Sequence, residues 1–252
     1  MKLSTLIVGS LVFGASVGHA APLFTYSFAD VTTSSASSAG GAAGNLTFSS
    51  FTASGVGADS TIAGIFSFSG WTTGATNASD SFTGGLNASD YFEFTITPDA
   101  GFQFSLTSLN FSAGRTTTGP RQFAIRSSAD GFASNLAASV SAANESVVAT
   151  NVVQFTDNTA TALYSGNAIT LSGASFTDVT SSLTFRIYAF NAESSAGVFR
   201  IDDFAINGTV SALTSPTGSS GIPDSGVGTG FFGVVLALLT AVARRSGIRS
   251  IV

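Results

Sequence analysis

LTFRIYAFNAESSAGVFRIDDFAING, residues 183–208, alternates apolar and polar positions on either side of a polar, turn-forming cluster, NAESSAG at 191–197. Successive side chains of an extended chain point to opposite faces, so period-two alternation predicts a strand with one face against a core. Two such runs joined by a short cluster of Asn, Ser and Gly predict adjacent strands linked by a turn. The pattern recurs along the chain at Phe24–Phe28, Ile65–Phe68, Tyr91–Ile96, Phe102–Leu106 and Gln122–Ile125. TPDAG (97–101) and SADG (128–131) supply turn chemistry between runs. No segment of this central region carries a helical period. Many short strands with polar turns and no intervening helices predict an all-β, two-layer antiparallel β-sandwich over residues 21–212. Within it, the Ser/Gly-rich stretch from Thr32 to Gly44 is expected to be a long loop.

Composition narrows what this body can do. Between residues 21 and 212 there are five arginines (115, 121, 126, 186 and 200) and no lysine, against thirteen acids, a net charge of −8. Nucleic acid is therefore not an expected partner, because it requires clustered Lys or Arg. Charged residues make up 9% of the chain, so solubility rests on Ser, Thr, Asn and exposed backbone. There is no cysteine, which excludes disulfides, thiol catalysis and cysteine-ligated metals, and the fold must be held by a core rich in the 23 phenylalanines. The one histidine, His19, falls in the leader described next. A mature body without it has no Ser-His-Asp triad and no imidazole base. No cofactor is implied, and the body is read as non-enzymatic.

The two ends read as addresses. Met1-Lys2, an apolar run from Leu6 to Val17, and Gly18-His19-Ala20 before Ala21 have the three-part order of a secretory signal peptide over residues 1–20. Its apolar run is too short for a bilayer core of roughly 30 Å, which sets aside a retained anchor. At the other end, LTSPTGSSG (213–221) is a Ser/Gly/Pro linker, followed by IPDSG (222–226), an uncharged segment from Val227 to Ala243, and Arg244-Arg245 with Arg249 beyond. Seventeen residues at 1.5 Å each give roughly 25 Å of helix, just enough to span. The arginines behind it hold the C-terminus on the cytoplasmic side and place the body across the membrane.

Ile222, Pro223, Asp224, Ser225 and Gly226, the single apolar helix and the basic stop at Arg244 and Arg245 together resemble the PEP-CTERM class of bacterial sorting signals. The variant whose motif reads Val-Pro-Asp-Ser-Gly is the most similar, with Ile222 in the Val position and a tail, SGIRSIV, that runs on beyond the arginine pair. The resemblance implies an exosortase as partner, passage through the inner membrane, and delivery to the cell surface or an exopolysaccharide matrix. A plain single-pass anchor on a flexible stalk is the alternative. YFEFTITPDAGFQFSLTSLNFS (91–112), FAIRSSADGFASNL (123–136) and residues 183–208 also resemble jelly-roll domains of the carbohydrate-binding-module type. That resemblance identifies architecture better than activity.

Several residues in the body have two readings each. Trp71, in SGWTTG, could stack on a sugar ring or fill the core. Asp202-Asp203 could offer oxygens to calcium, or serve a strand edge or an ion pair with Arg200 or Arg186. Alternation allows at most one of the two to point inward, and no EF-hand-like spacing supplies the remaining ligands. Among Asp90, Glu93, Asp99, Glu145 and Glu193 a glycosidase pair could arise only if two face each other across a cleft. Three functions remain from different classes: a surface or matrix protein in contact with polysaccharide, a specific carbohydrate-binding module, and an exported glycoside hydrolase.

Overall fold

The computed structural model describes residues 21–32, 35–59, 62–76, 80–156 and 162–214. The signal peptide (1–20), most of the linker, the 222–226 motif, the 227–243 segment and the 244–249 tail lie outside them. Among the described residues no helix is long and apolar enough to cross a membrane.

The alternating runs are strands. In chain order they are β1 (Phe24–Tyr26), β2 (Ser37–Ser38), β3 (Gly41–Ala43), β4 (Leu46–Phe48), β5 (Phe51–Ser54), β6 (Gly57–Ala58), β7 (Phe66–Ser69), β8 (Tyr91–Pro98), β9 (Phe102–Arg115), β10 (Pro120–Ser127), β11 (Ala137–Ser139), β12 (Glu145–Val148), β13 (Val152–Phe155), β14 (Leu163–Thr170), β15 (Leu183–Ala192) and β16 (Phe199–Ala212). They pair antiparallel throughout, into a seven-stranded sheet ordered β11-β14-β9-β16-β7-β6, with β1 also on β16, and a nine-stranded sheet ordered β12-β13-β10-β15-β8-β4-β3, with β5 also on β8 and β2 on β5. Consecutive strands β9 and β10, and again β15 and β16, lie in different sheets, so the turns between them cross from layer to layer.

The inner faces meet through phenylalanine. On the nine-stranded sheet Phe92, Phe94, Ile96, Phe123, Ile125, Phe185 and Ile187 are buried, and on the other sheet Leu109, Phe111, Ala113, Phe199, Ile201, Phe204 and Ile206. Ring pairs run from sheet to sheet: Phe94–Phe204 at 5.2 Å, Phe123–Phe199 at 5.3 Å, Phe92–Phe199 at 5.9 Å and Phe111–Phe123 at 6.0 Å between centroids. Each such pair contributes about 0.5–1.5 kcal/mol beyond the area it buries. This is the β-sandwich that the alternation predicts, held without disulfides.

The alternation is not continuous along the two longest strands. In β16 the core positions are Phe199 and Ile201, then Phe204 and Ile206, because a bulge lies between the pairs Asp202↔Ser112 and Ala205↔Asn110. One extra residue on a strand reverses the phase of everything after it. Asp203 adopts φ 51° there, a left-handed conformation that a short polar side chain tolerates. The bulge sits where the strand on the other side of β16 changes from β7 to β1. A second shift, with Thr107 as the extra residue on β9, lies opposite Asn207 and Gly208. A Cβ on Gly208 would fall 2.2 Å from the Ser105 carbonyl oxygen, so the close approach of the two strands requires glycine.

The stretch expected as a loop, Thr32 to Gly44, instead carries β2 and β3 in the residues described. Its side chains are small and carry no apolar period, and its backbone pairs with β5 and β4 at a sheet edge. The Asp30 carboxylate fastens it, accepting from Ser38 Oγ and the Ala39 amide at 2.6 Å each. Backbone pairing leaves no apolar period in the sequence, which is why composition alone predicts a loop.

Candidate functional site

Trp71 lies in the core. It is 1% exposed, its Nε1 donates to the Phe68 carbonyl at 2.7 Å, and the rings of Phe92 and Phe199 meet it edge-on. An indole so enclosed offers no face to a sugar. Asp202 and Asp203 both lie outside the core, where plain alternation would allow one inside, because the bulge between them and Phe204 turns that position outward. Asp202 is half-buried and its carboxyl is raised by burial, while one of its oxygens accepts the Asp203 amide. Among the described residues no group of three or more His, Cys, Asp or Glu could hold a metal ion.

The five candidate carboxylates are dispersed. Asp90, just before β8, accepts from Thr72 Oγ1 and Asn87 Nδ2. Glu93 accepts from Arg186 Nε at 2.6 Å on the outer face of β8. Asp99 is exposed in the β8–β9 turn. Glu145 is buried on edge strand β12 against Asn167 of β14. Glu193, after β15, is buried between Arg115 at 3.9 Å and Arg121 at 3.6 Å, with Asp80 also on Arg121. Asp90, Glu93, Glu145 and Glu193 are each bound to partners of their own, Asp99 stands alone in its turn, and none of the five belongs to the cleft described next.

That cleft lies at one end of the outer face of the nine-stranded sheet and encloses about 460 Å3. It is lined by Arg126, Ala133, Ser134, Asn135, Thr150 and Asn151. Arg126 projects outward from β10 because its neighbours Ile125 and Ser127 are the buried positions of the alternation. The loop after β10 and the turn between β12 and β13 meet beside it because β10 and β13 are paired. Asn135 ties the two together: its Oδ1 accepts from Arg126 Nε at 2.7 Å and its Nδ2 donates to the Thr150 carbonyl at 2.8 Å. Arg126 Nη1 donates to the Phe132 carbonyl at 3.0 Å. No carboxylate lies within ion-pair distance of Arg126 among the described residues. The nearby Asp130 accepts the amides of Ala133 and Ser134 and so holds the loop closed.

The backbone around the cleft is strained. Eight described non-glycine residues have positive φ, and three of them, Phe132 (62°), Thr150 (61°) and Asn151 (57°), border this one place. A bulky or β-branched residue in the left-handed region costs on the order of 1–3 kcal/mol and persists only where its surroundings impose it. Phe132 lies over the guanidinium of Arg186 at 4.1 Å, with Tyr91 at 4.2 Å from the same group. Tyr188 packs on Tyr91 and lies 5.8 Å from Arg126. Burial lowers the Arg186 guanidinium, hydrogen bonds to Glu93 and Tyr188 raise it, and the rise prevails. The result is a fixed array of rings and cations beside a polar cleft.

Comparison with known proteins finds no matching family model, no matching curated protein and no matching solved structure. Sequence reasoning passed over this cleft. Arg126 and the SADG turn are visible in FAIRSSADGFASNL, but Thr150 and Asn151 come from a distant segment and neither announces a left-handed turn.

Proposed function

We propose that the chain is an exported cell-surface or exopolysaccharide-matrix protein, passed through the inner membrane to an exosortase by its C-terminal signal. Its sandwich, of jelly-roll type, contacts extracellular polysaccharide and catalyses no reaction. The observation that carries this reading is the order of segments around Ala212. Strand β16 ends there, beside the linker at 213–221, the Ile222–Gly226 motif, the apolar run to Ala243 and the arginine pair. β16 is an interior strand, hydrogen-bonded to β9 on one side and to β7 and β1 on the other. Strand β16 finds partners on both of its edges among the described residues, which supports reading the segments after it as an address. The dispersal of the five carboxylates, four of them tied to separate partners, weighs against the hydrolase reading.

Replacing Pro223 and Asp224 by Ala is expected to leave an uncut form in the inner membrane, read by fractionation and by size on a gel. Release to the surface at the native rate would refute the sorting reading. The specific carbohydrate-binding module is the second reading, and the polar cleft beside Arg126 favours it.

A further inference from the structure

We infer that the cleft between the β10 loop and the β12–β13 turn is a subsite for a carboxylate-bearing sugar unit, with Arg126 as its anchor. The inference takes its ligand source, an extracellular polysaccharide, from the reading above, but the chemistry is that of the cleft itself.

A volume of about 460 Å3 falls within the roughly 300–1,000 Å3 range of small-ligand sites. Arg126 uses Nε on Asn135 and Nη1 on Phe132, which leaves Nη2 without a protein partner among the described residues. Two fixed hydrogen bonds hold the guanidinium plane, so the remaining donors are pre-oriented rather than mobile. A guanidinium recognises a carboxylate better than any other oxygen group, through charge-assisted hydrogen bonds. Its own protein supplies none within reach, in a body whose net charge is −8.

The rest of the lining suits the remainder of a sugar. Asn151, half-buried, makes no side-chain hydrogen bond to the protein among the described residues, and its left-handed backbone fixes where its amide begins. Asn135 Nδ2 gives one of its two hydrogens to Thr150 and keeps the second. Hydroxyl and carboxylate oxygens are what such donors bind. Phe132, next to the lining residues, has its ring on Arg186 and its carbonyl on Arg126, and so fixes the anchor from outside the cleft. Thr150 and Asn151 turn the β12–β13 hairpin with positive φ, as tight hairpin connections do, and this turn fixes where their polar groups stand at the cleft.

The test is calorimetric titration of the purified full chain in detergent with tri-galacturonate, and in parallel with its methyl ester. The free acid is expected to bind in the millimolar range or tighter, and the ester at least tenfold more weakly. Arg126→Lys keeps the charge but loses the fork, and should weaken binding of the acid about tenfold. Because Arg126 also closes its loop, Asn151→Gly serves as the second variant. Glycine accepts the left-handed backbone, so thermal unfolding should be unchanged while binding weakens about five- to tenfold. Equal binding of acid and ester would overturn the carboxylate assignment. Absence of binding by both, or binding indifferent to both substitutions, would overturn the subsite. Binding to purified protein does not depend on export, so failure here leaves the sorting reading intact, and failure of sorting leaves this one intact.

Discussion

Replacing Glu145 by Gln should change how stability depends on pH, by an amount the structure sets. Glu145 is 6% exposed, on edge strand β12 of the nine-stranded sheet. Its Oε2 accepts from Nδ2 of Asn167, which is equally buried and belongs to β14 of the other sheet, at 3.2 Å. The pair therefore joins the two layers at their margin. Oε1 of Glu145 and Oδ1 of Asn167 are both buried without a hydrogen-bond partner among the described residues, so the site holds two orphan acceptors and wants a donor. Burial pushes the carboxyl up to about 7 from 4.5, with the Asn167 hydrogen bond opposing in part. The folded state thus holds a proton that the unfolded chain releases. Glu145 costs nothing below about pH 4.5, and stability is lost as pH rises through 7. At about 1.4 kcal/mol per unit, the wild type loses about 3 kcal/mol between pH 4.5 and pH 8 from this group alone. Glutamine keeps the shape and an acceptor, adds a permanent donor and does not titrate. The measurement is urea unfolding of wild type and Glu145→Gln from pH 4.5 to 8.5, with the difference in unfolding free energy plotted against pH. All other groups contribute equally to both proteins and cancel. The difference should shift toward the variant from about pH 4.5 upward, by about 2 kcal/mol at pH 6 and about 3 kcal/mol near pH 8, flattening above about 7. Two curves that stay parallel over the whole range would show that Glu145 ionises as freely as a surface carboxylate, and the reasoning from burial would fail.

Two further substitutions probe the framework. Trp71→Ala removes an enclosed indole between Phe92 and Phe199, and should cost about 3–5 kcal/mol in denaturant unfolding; a loss below about 1 kcal/mol would contradict its placement in the core. Gly208→Ala drives a methyl into the Ser105 carbonyl, and should cost about 1–3 kcal/mol or shift the β9–β16 register. Amide exchange along β9 separates these outcomes, and unchanged stability with unchanged exchange would refute the close approach.

How far the sequence could be read depended on whether a feature was local. Tyr91–Pro98 keeps its period from end to end, and Phe92, Phe94 and Ile96 are core residues as its alternation requires. In β9 and β16 the period is broken at Thr107-Ser108 and Asp202-Asp203. Two adjacent polar residues between apolar runs are the trace of a bulge, which strict alternation reads instead as one residue facing each way. The short strands β2 and β3 carry no apolar period, since small residues there pair with their neighbours through the backbone. The cleft was the least legible. Its residues, 126, 133–135 and 150–151, are joined only by the pairing of β10 with β13, and pairing partners are not written in composition. Trp71 shows a different limit: a lone tryptophan among Gly and Thr fits a sugar platform or a core position equally in pattern, and only its burial between Phe92 and Phe199 decides for the core.

The interior position of β16 constrains the order in which the chain can acquire its shape. A polypeptide emerging amino-terminus first presents β1, β7 and β9 long before residues 199–212, and all three need that last strand as a neighbour. Until it arrives, a phenylalanine-rich layer stands open to its surroundings, and closure involves contacts of long sequence separation, which are slow to form. On the export reading proposed above, an anchored tail would keep each nascent body apart from its siblings while that gap is filled.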